Sequence, residues 1–222
     1  MTQSNNIYFP DKIQEELIDV LDGLVDYSVH HYKKELVETT DWYLAKMDIS
    51  EKAENQIFTQ MFWWTIFCYP IPLTGKTVFQ QYLKAHKEGW KKKSMTVQQV
   101  LASWLELSPG FYYVENDKSR TGQVFIFRDI FEGNRKIVWV RSKGGCKPVC
   151  GEVVSVMLLP LEDGSFLSQG RIIHIPEVKS ASIINQISCY YKKYAISPSY
   201  SLNPELYPEL LRIALKAPED ER

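Results

Sequence analysis

The most constraining feature of this sequence is an apolar stretch from Met61 to Leu73, which includes two adjacent tryptophans. The stretch is too short for a transmembrane helix, which needs about 20 apolar residues. Pro70 and Pro72 fix φ and remove two backbone donors, so a helix through this stretch must end there. A helix that is apolar on nearly every face is normally surrounded by its own domain. We therefore predict a buried central helix over residues 57–69.

The first sixty residues show a helical repeat of apolar positions with acidic residues between them. The repeat predicts one long amphipathic helix that bends near Gly23, or two helices in succession, ending near Met47. Its apolar positions are Ile13, Leu17, Val20, Leu21, Leu24, Tyr27, Tyr32 and Leu36.

From residue 109 the hydrophobic pattern changes to that of β-strands, with five runs rich in β-branched and aromatic residues. Gly133-Asn134 and Asp163-Gly164 lie between successive runs and are typical of hairpin turns. Short strands joined by hairpins favour an antiparallel meander that closes into a small SH3-like or OB-like barrel. We therefore predict an α+β protein with a helical layer at 1–108, a small antiparallel β-barrel at 109–176 and C-terminal helices at 177–222 that pack back.

The charges of the chain nearly balance overall but are unevenly distributed. The net charge is −1, with −7 in residues 1–60, +8 in residues 61–150 and −2 in residues 151–222. A basic middle segment is typical of a nucleic-acid footprint. The same segment could instead receive the acidic N-terminal helix of its own chain, and the sequence leaves both interpretations open.

Two groups of basic residues carry the nucleic-acid hypothesis. Three consecutive lysines next to a tryptophan could hold a phosphate backbone while the ring stacks on a base, and arginines on the predicted strands have aromatic neighbours. The alternatives are a solvated helix end for the lysines and, for the strands, aromatic side chains inside with arginines outside. The candidate nucleic-acid-binding residues are Trp90, Lys91, Lys92, Lys93, Arg128 and Arg141.

The cysteines indicate the cellular compartment of the protein more clearly than they indicate a metal-binding site. Cys146 and Cys150 have the spacing of half a zinc knuckle, which needs two further ligands, and a strand-end His174 could in principle approach them. We predict no cofactor. Four scattered cysteines do not form a disulfide framework, and the polar N-terminus has no secretion signal. We therefore expect a cytoplasmic protein without a membrane segment.

No catalytic motif stands out in the sequence. Thr74-Gly75-Lys76-Thr77 matches the end of a phosphate-binding loop, but that motif requires a glycine where this chain has Pro70, and it must follow a strand. There is no Gly-x-Ser-x-Gly elbow and no histidine pair with metal-binding spacing. The sequence thus favours a non-enzymatic binding or adaptor protein that docks another protein. A nucleic-acid-binding module is the alternative, and an enzyme with a pocket between helices and barrel is a second alternative.

The middle of the chain also carries a family resemblance. Residues 62–83, the helix around Trp104 and the segment Leu159-Pro160-Leu161-Glu162-Asp163-Gly164 resemble the helical-plus-β region of bacterial proteins that often carry a SEC-C zinc motif. The resemblance implies a bacterial protein of unknown function, since that region has no established activity. The SEC-C motif itself is a compact cysteine/histidine cluster, and the sequence after Cys189 contains neither residue. The metal-binding or docking role of that motif therefore does not extend to this chain.

Overall fold

The structure is a computed structural model that describes residues 11–117, 123–140, 146–175, 177–197 and 203–216. Helices lead into a sheet, and further helices follow it. The first helices are α1 (Asp11–Met47), α2 (Glu51–Phe67), α3 (Val78–Ala85), α4 (Lys87–Trp90) and α5 (Met95–Ser103), and a 3-10 turn follows at Trp104–Glu106. The strands are β1 (Gly110–Asp117), β2 (Val124–Asp129), β3 (Arg135–Trp139), β4 (Val153–Pro160) and β5 (Phe166–Ile175). Helix α6 (Glu177–Tyr194), a 3-10 turn at Pro204–Leu206 and helix α7 (Tyr207–Lys216) complete the described chain.

Helix α2 covers most of the predicted central helix over residues 57–69, but it begins at Glu51 and ends at Phe67. It begins earlier because the Ser50 hydroxyl accepts a hydrogen bond from the backbone N–H of Ala53 and caps the first turn. Its interior positions are almost fully buried, whereas Phe58 is 43% exposed. One side of α2 is therefore at the surface, and the helix is not surrounded on every face.

Helix α1 ends at Met47 as predicted, but its kink lies at Tyr32 and not near Gly23. Tyr32 has the non-helical backbone angles φ −134° and ψ 16°. Gly23 has a packing role instead, since a Cβ atom there would lie 2.6 Å from the hydroxyl oxygen of Tyr82. That hydroxyl donates a hydrogen bond to the carbonyl of Val20, so the missing side chain lets α3 approach α1 closely.

The strands form a mixed sheet that closes on itself. β1 pairs antiparallel with both β2 and β4, β2 with β3, and β4 with β5. β3 and β5 pair in parallel through Val138–Phe166 and Trp139–Leu167, so the order β1-β2-β3-β5-β4 returns to β1. The α+β prediction is confirmed. The prediction of an antiparallel meander is wrong, because β5 lies between β3 and β4 and runs parallel to β3.

Both predicted hairpin turns are present. Gly133, between β2 and β3, has a φ of 73°, and Gly164, between β4 and β5, has a φ of 77°. Because these left-handed conformations favour glycine, the two glycines allowed the turns to be predicted from the sequence. The two hairpins fix the local pairing of β2 with β3 and of β4 with β5.

Buried side chains form two apolar clusters on opposite sides of the closed sheet. The smaller cluster fills the interior and includes Tyr112, Phe125 and Phe127. The larger cluster joins the helices to the outer side chains of β4 and β5, so β4 is buried on both faces. Helices and sheet therefore share one core. Among the described helices, none has the length and hydropathy that a membrane span requires.

Candidate binding face on strands β2 and β3

The helical layer covers the outer side of β4 and β5. The side-chain amide of Gln60 on α2 donates hydrogen bonds to the carbonyl oxygens of Gln169 and Arg171 on β5, at 3.1 and 2.6 Å. The hydroxyls of Tyr207 on α7 and Ser155 on β4 are hydrogen-bonded at 3.0 Å. These contacts anchor the helices to one half of the sheet.

The outer surface of β2 and β3 is much more exposed. Arg128 and Arg135 are directly opposite each other, and Ile126 and Ile137 form the next outward pair. Ile137 is 45% exposed, and the side chains of Arg128 and Arg135 are 50% and 73% exposed. We call the surface formed by Ile126, Arg128, Arg135 and Ile137 the β2–β3 face.

The alternation along β2 explains the composition of this face. Phe125 and Phe127 point into the sheet interior, and Arg128 lies at the surface. The interpretation that the strand aromatics are inside and the arginines outside is confirmed for β2. Its aromatic rings therefore cannot serve as stacking platforms for bases.

Glu115 neutralises part of the positive charge on the β2–β3 face. The pairing of β1 with β2 shifts register between Val114 and Asn116, so Glu115 occupies a β-bulge. A bulge changes the direction of a side chain relative to the regular strand. One carboxylate oxygen of Glu115 accepts a hydrogen bond from Nε of Arg135 at 2.6 Å, and the other lies 3.1 Å from Nε of Arg128.

This arrangement relieves a repulsion between like charges. Arginines directly opposite each other on neighbouring strands destabilise a sheet unless an anion lies between them. The hydrogen bond from Arg135 to Glu115, followed by the carboxylate charge, raises the pKa of Arg135 above its ordinary value. The guanidinium of Arg128 also lies over the ring of Tyr113, 5.4 Å from its centroid. The two arginines and Glu115 together carry one net positive charge.

The three lysine candidates follow helix α4, and two of them pair with acidic side chains. Lys91 pairs with Glu88 at 2.8 Å, and Lys93 pairs with Glu16 of α1 at 3.2 Å. Lys92 is exposed. Lys91 and Lys93 thus contact residues of the helical layer, whereas Arg128 lies on strand β2.

Trp90 packs within the helical layer. Its indole N–H donates to the carbonyl of Leu83 at 3.1 Å, and its ring lies against Tyr82 with centroids 5.4 Å apart. The half-buried ring of Trp90 thus contributes to the packing of α3 and α4. The last candidate, Arg141, lies outside the described residues.

Cys146 and Cys150 are both exposed free thiols. The thiol of Cys150 donates to the backbone carbonyl of Glu115 at 3.0 Å. His174 does not complete a ligand set but lies 3.0 Å from the carboxylate of Glu152. In the described parts of the chain, no group of three or more histidine, cysteine or acidic side chains is arranged to hold a metal ion.

The sequence did not single out Glu115 or Ile137, which the structure places at the candidate face. Glu115 lies in a polar segment at the end of β1, and no local signal marks the bulge that directs its side chain. Ile137 looks like an ordinary strand residue, because the sequence does not show which outer faces the helices cover. Scans of family models, of curated proteins and of solved structures found no match to this chain.

Proposed function

We propose that this chain is a non-enzymatic adaptor protein and that it docks another protein through the β2–β3 face. The observation that supports this function is the uneven coverage of the sheet. Helices pack on β4 and β5, whereas Ile137 on β3 is 45% exposed beside its cross-strand neighbour Ile126. A contiguous exposed apolar patch rimmed by polar residues marks an interaction site, and we infer that Ile126 and Ile137 form the apolar centre of such a patch between charged neighbours.

The strand order supports a finer assignment of the sheet. We infer an OB-like barrel, because five strands close in the order β1-β2-β3-β5-β4 with β3 and β5 parallel. In OB folds the surface of strands 2 and 3 is the usual binding surface. This likeness rests on topology alone, and topology does not identify the ligand. We also infer a cytoplasmic location, since the described cysteines, Cys68 included, are free thiols.

The proposed function can be tested with two matched variants. Ile137→Asp places a charge in the β2–β3 face, and Leu73→Asp places the same charge at a 91% exposed position after α2. Each tagged protein is incubated with lysate of the organism that encodes it, and the retained proteins are identified by mass spectrometry. We expect the wild type and Leu73→Asp to retain the same partner and Ile137→Asp to lose it. If all three proteins retain the same partner, or if none of them retains a partner, the proposal is refuted.

The OB-like strand order also favours a second candidate, a nucleic-acid-binding module. Its test is the fluorescence anisotropy of labelled single-stranded and duplex oligonucleotides at several salt concentrations. A phosphate-binding surface would show an affinity that falls steeply with salt. It would also lose affinity when Lys91, Lys92 and Lys93 are changed to glutamate. We expect no such binding, because Lys91 and Lys93 already pair with acidic side chains.

A further inference from the structure

We infer that the β2–β3 face binds an extended, acidic segment of a partner protein that carries an aliphatic side chain two residues from a carboxylate. The inference rests on the proposed docking function and specifies the chemistry of the partner. It follows from the charges of Arg128, Arg135 and Glu115, from the apolar pair Ile126 and Ile137, and from the two-residue spacing between charged and apolar side chains on each strand.

The charge on the face selects for an anion. Two exposed guanidinium groups share the single carboxylate of Glu115, so one positive charge remains uncompensated. Each guanidinium has five N–H donors. In the part of the chain that the structure describes, their ion pairs are with Glu115 alone. The remaining donors can bind a carboxylate from a partner, and such charge-assisted bonds favour the planar guanidinium group.

The apolar pair lies next to the charged pair. Ile126 and Arg128 are two residues apart on β2, and Arg135 and Ile137 are two residues apart on β3. Residues two apart on a strand point to the same face and are separated by about 7 Å. An extended partner segment has the same repeat. Its carboxylate and its aliphatic side chain would therefore occupy positions i and i+2.

The same contacts disfavour nucleic acid on this face. A phosphate backbone presents a series of negative charges, and the carboxylate of Glu115 lies between the two arginines that would have to bind it. The exposed aliphatic side chain of Ile137 offers no ring for base stacking, and the ring of nearby Tyr113 already lies under the guanidinium of Arg128. A peptide needs only one anion at this point and uses Ile137 for apolar contact.

Glu115 would then also compete with the partner's carboxylate for Arg128 and Arg135. In the free protein it occupies the place of the partner's carboxylate and prevents Arg128 from facing an unscreened Arg135. A partner carboxylate must share or displace these contacts. Removing the charge of Glu115 should therefore strengthen the binding of an acidic peptide. If Glu115 only stabilised the fold, its neutralisation would not strengthen binding.

The experiment uses random peptides displayed on phage as the probe. The library is selected on the full chain and depleted on the Ile137→Asp variant. The strongest peptides are synthesised with a fluorescent label, and their affinities are measured by anisotropy at low and high salt. We expect the enriched peptides to combine an acidic residue with an aliphatic residue at i+2, and their affinity to fall at high salt.

The variants measure each contact separately. We expect Arg128→Gln and Arg135→Gln each to weaken binding about threefold, Glu115→Gln to strengthen it about threefold, and Ile137→Asp to weaken it at least about tenfold. Arg171→Gln, at an exposed position on β5, is the matched control and should leave the affinity unchanged.

The outcomes separate this inference from the proposed function. If the affinity of the selected peptides falls in Ile137→Asp but not in Arg128→Gln or Arg135→Gln, the inference of an acidic partner is wrong. The proposed docking function of the face would then still stand. A library without enriched binders, or an Arg128-dependent affinity for oligonucleotides that exceeds the affinity for peptides, would also overturn the inference of an acidic partner. If the lysate partner is retained by Ile137→Asp, the docking function itself fails.

Discussion

The side chain of Gln60 connects the helical layer to the sheet at a point where strand β5 is irregular. The pairing of β4 with β5 shifts register between Ser155 and Met157, and Gly170 has a φ of 78°. Gln60 is fully buried, and its amide nitrogen donates to the carbonyl oxygens of the residues on either side of Gly170. These contacts make Gln60 the most informative position for testing how α2 is attached.

Gln60→Glu should destabilise the protein in a pH-dependent way. A protonated carboxyl can donate to one of the two carbonyls, so the variant loses about 1 kcal/mol at any pH. Burial disfavours the ionised form, so the folded-state pKa of the new carboxyl lies above its unfolded value of about 4.3. Stability therefore falls as the pH rises above that value, by about 1.4 kcal/mol per unit until the folded-state pKa is reached. A folded-state pKa above 7 gives a further loss of about 4 kcal/mol at pH 7.

The assay is urea unfolding followed by tryptophan fluorescence between about pH 5 and pH 8, with each variant compared with wild type at the same pH. Gln60→Leu is the control, because it removes both donors without adding a titratable group. We expect a loss of about 2 kcal/mol for Gln60→Leu that does not depend on pH. If Gln60→Glu follows the same flat profile, the new carboxyl is not desolvated and the buried contact between α2 and β5 is wrong.

Two further predictions concern stability. Gly170→Ala should cost about 1–2 kcal/mol more than Gly164→Ala in urea unfolding, since both glycines have positive φ but only at Gly170 would the new Cβ approach the ring of Trp63, at 3.0 Å. Lys136→Met should remove the ammonium group that lies 3.9 Å from the buried Asp129. Burial already raises the pKa of Asp129, so its ionised form is destabilising, and we expect the variant's loss of stability relative to wild type to grow as the pH rises through that pKa. A loss that stays constant with pH would refute the ion pair.

The features predicted correctly are those that local sequence determines. Gly133 and Gly164 mark hairpins because each turn needs a positive φ. The end of α1 at Met47 also follows from the local helical repeat. In each case the residues that specify the feature are within a few positions of it.

The features that were missed depend on contacts between distant segments. The parallel pairing of β3 with β5 rests on only two residue pairs and leaves no repeat in the sequence. The kink at Tyr32 lies at a residue with no helix-breaking signal, whereas Gly23 has that signal but serves the packing of Tyr82. The direction of Glu115 depends on a bulge, which appears only once β1 and β2 are paired.

The same distinction separates the roles that we predict for the basic residues of the middle segment. Lys93 joins the acidic helix α1 through Glu16, and both side chains are about three-quarters buried, so this lysine supports the fold. The side chains of Arg128 and Arg135 are at least half exposed and share one carboxylate. Exposed charges influence the encounter with a partner and its specificity more than they influence stability. Substitutions of Lys93 should therefore affect unfolding, and substitutions of the two arginines should affect binding. A reversal of these effects would place the partner on the helical layer instead of on β2 and β3.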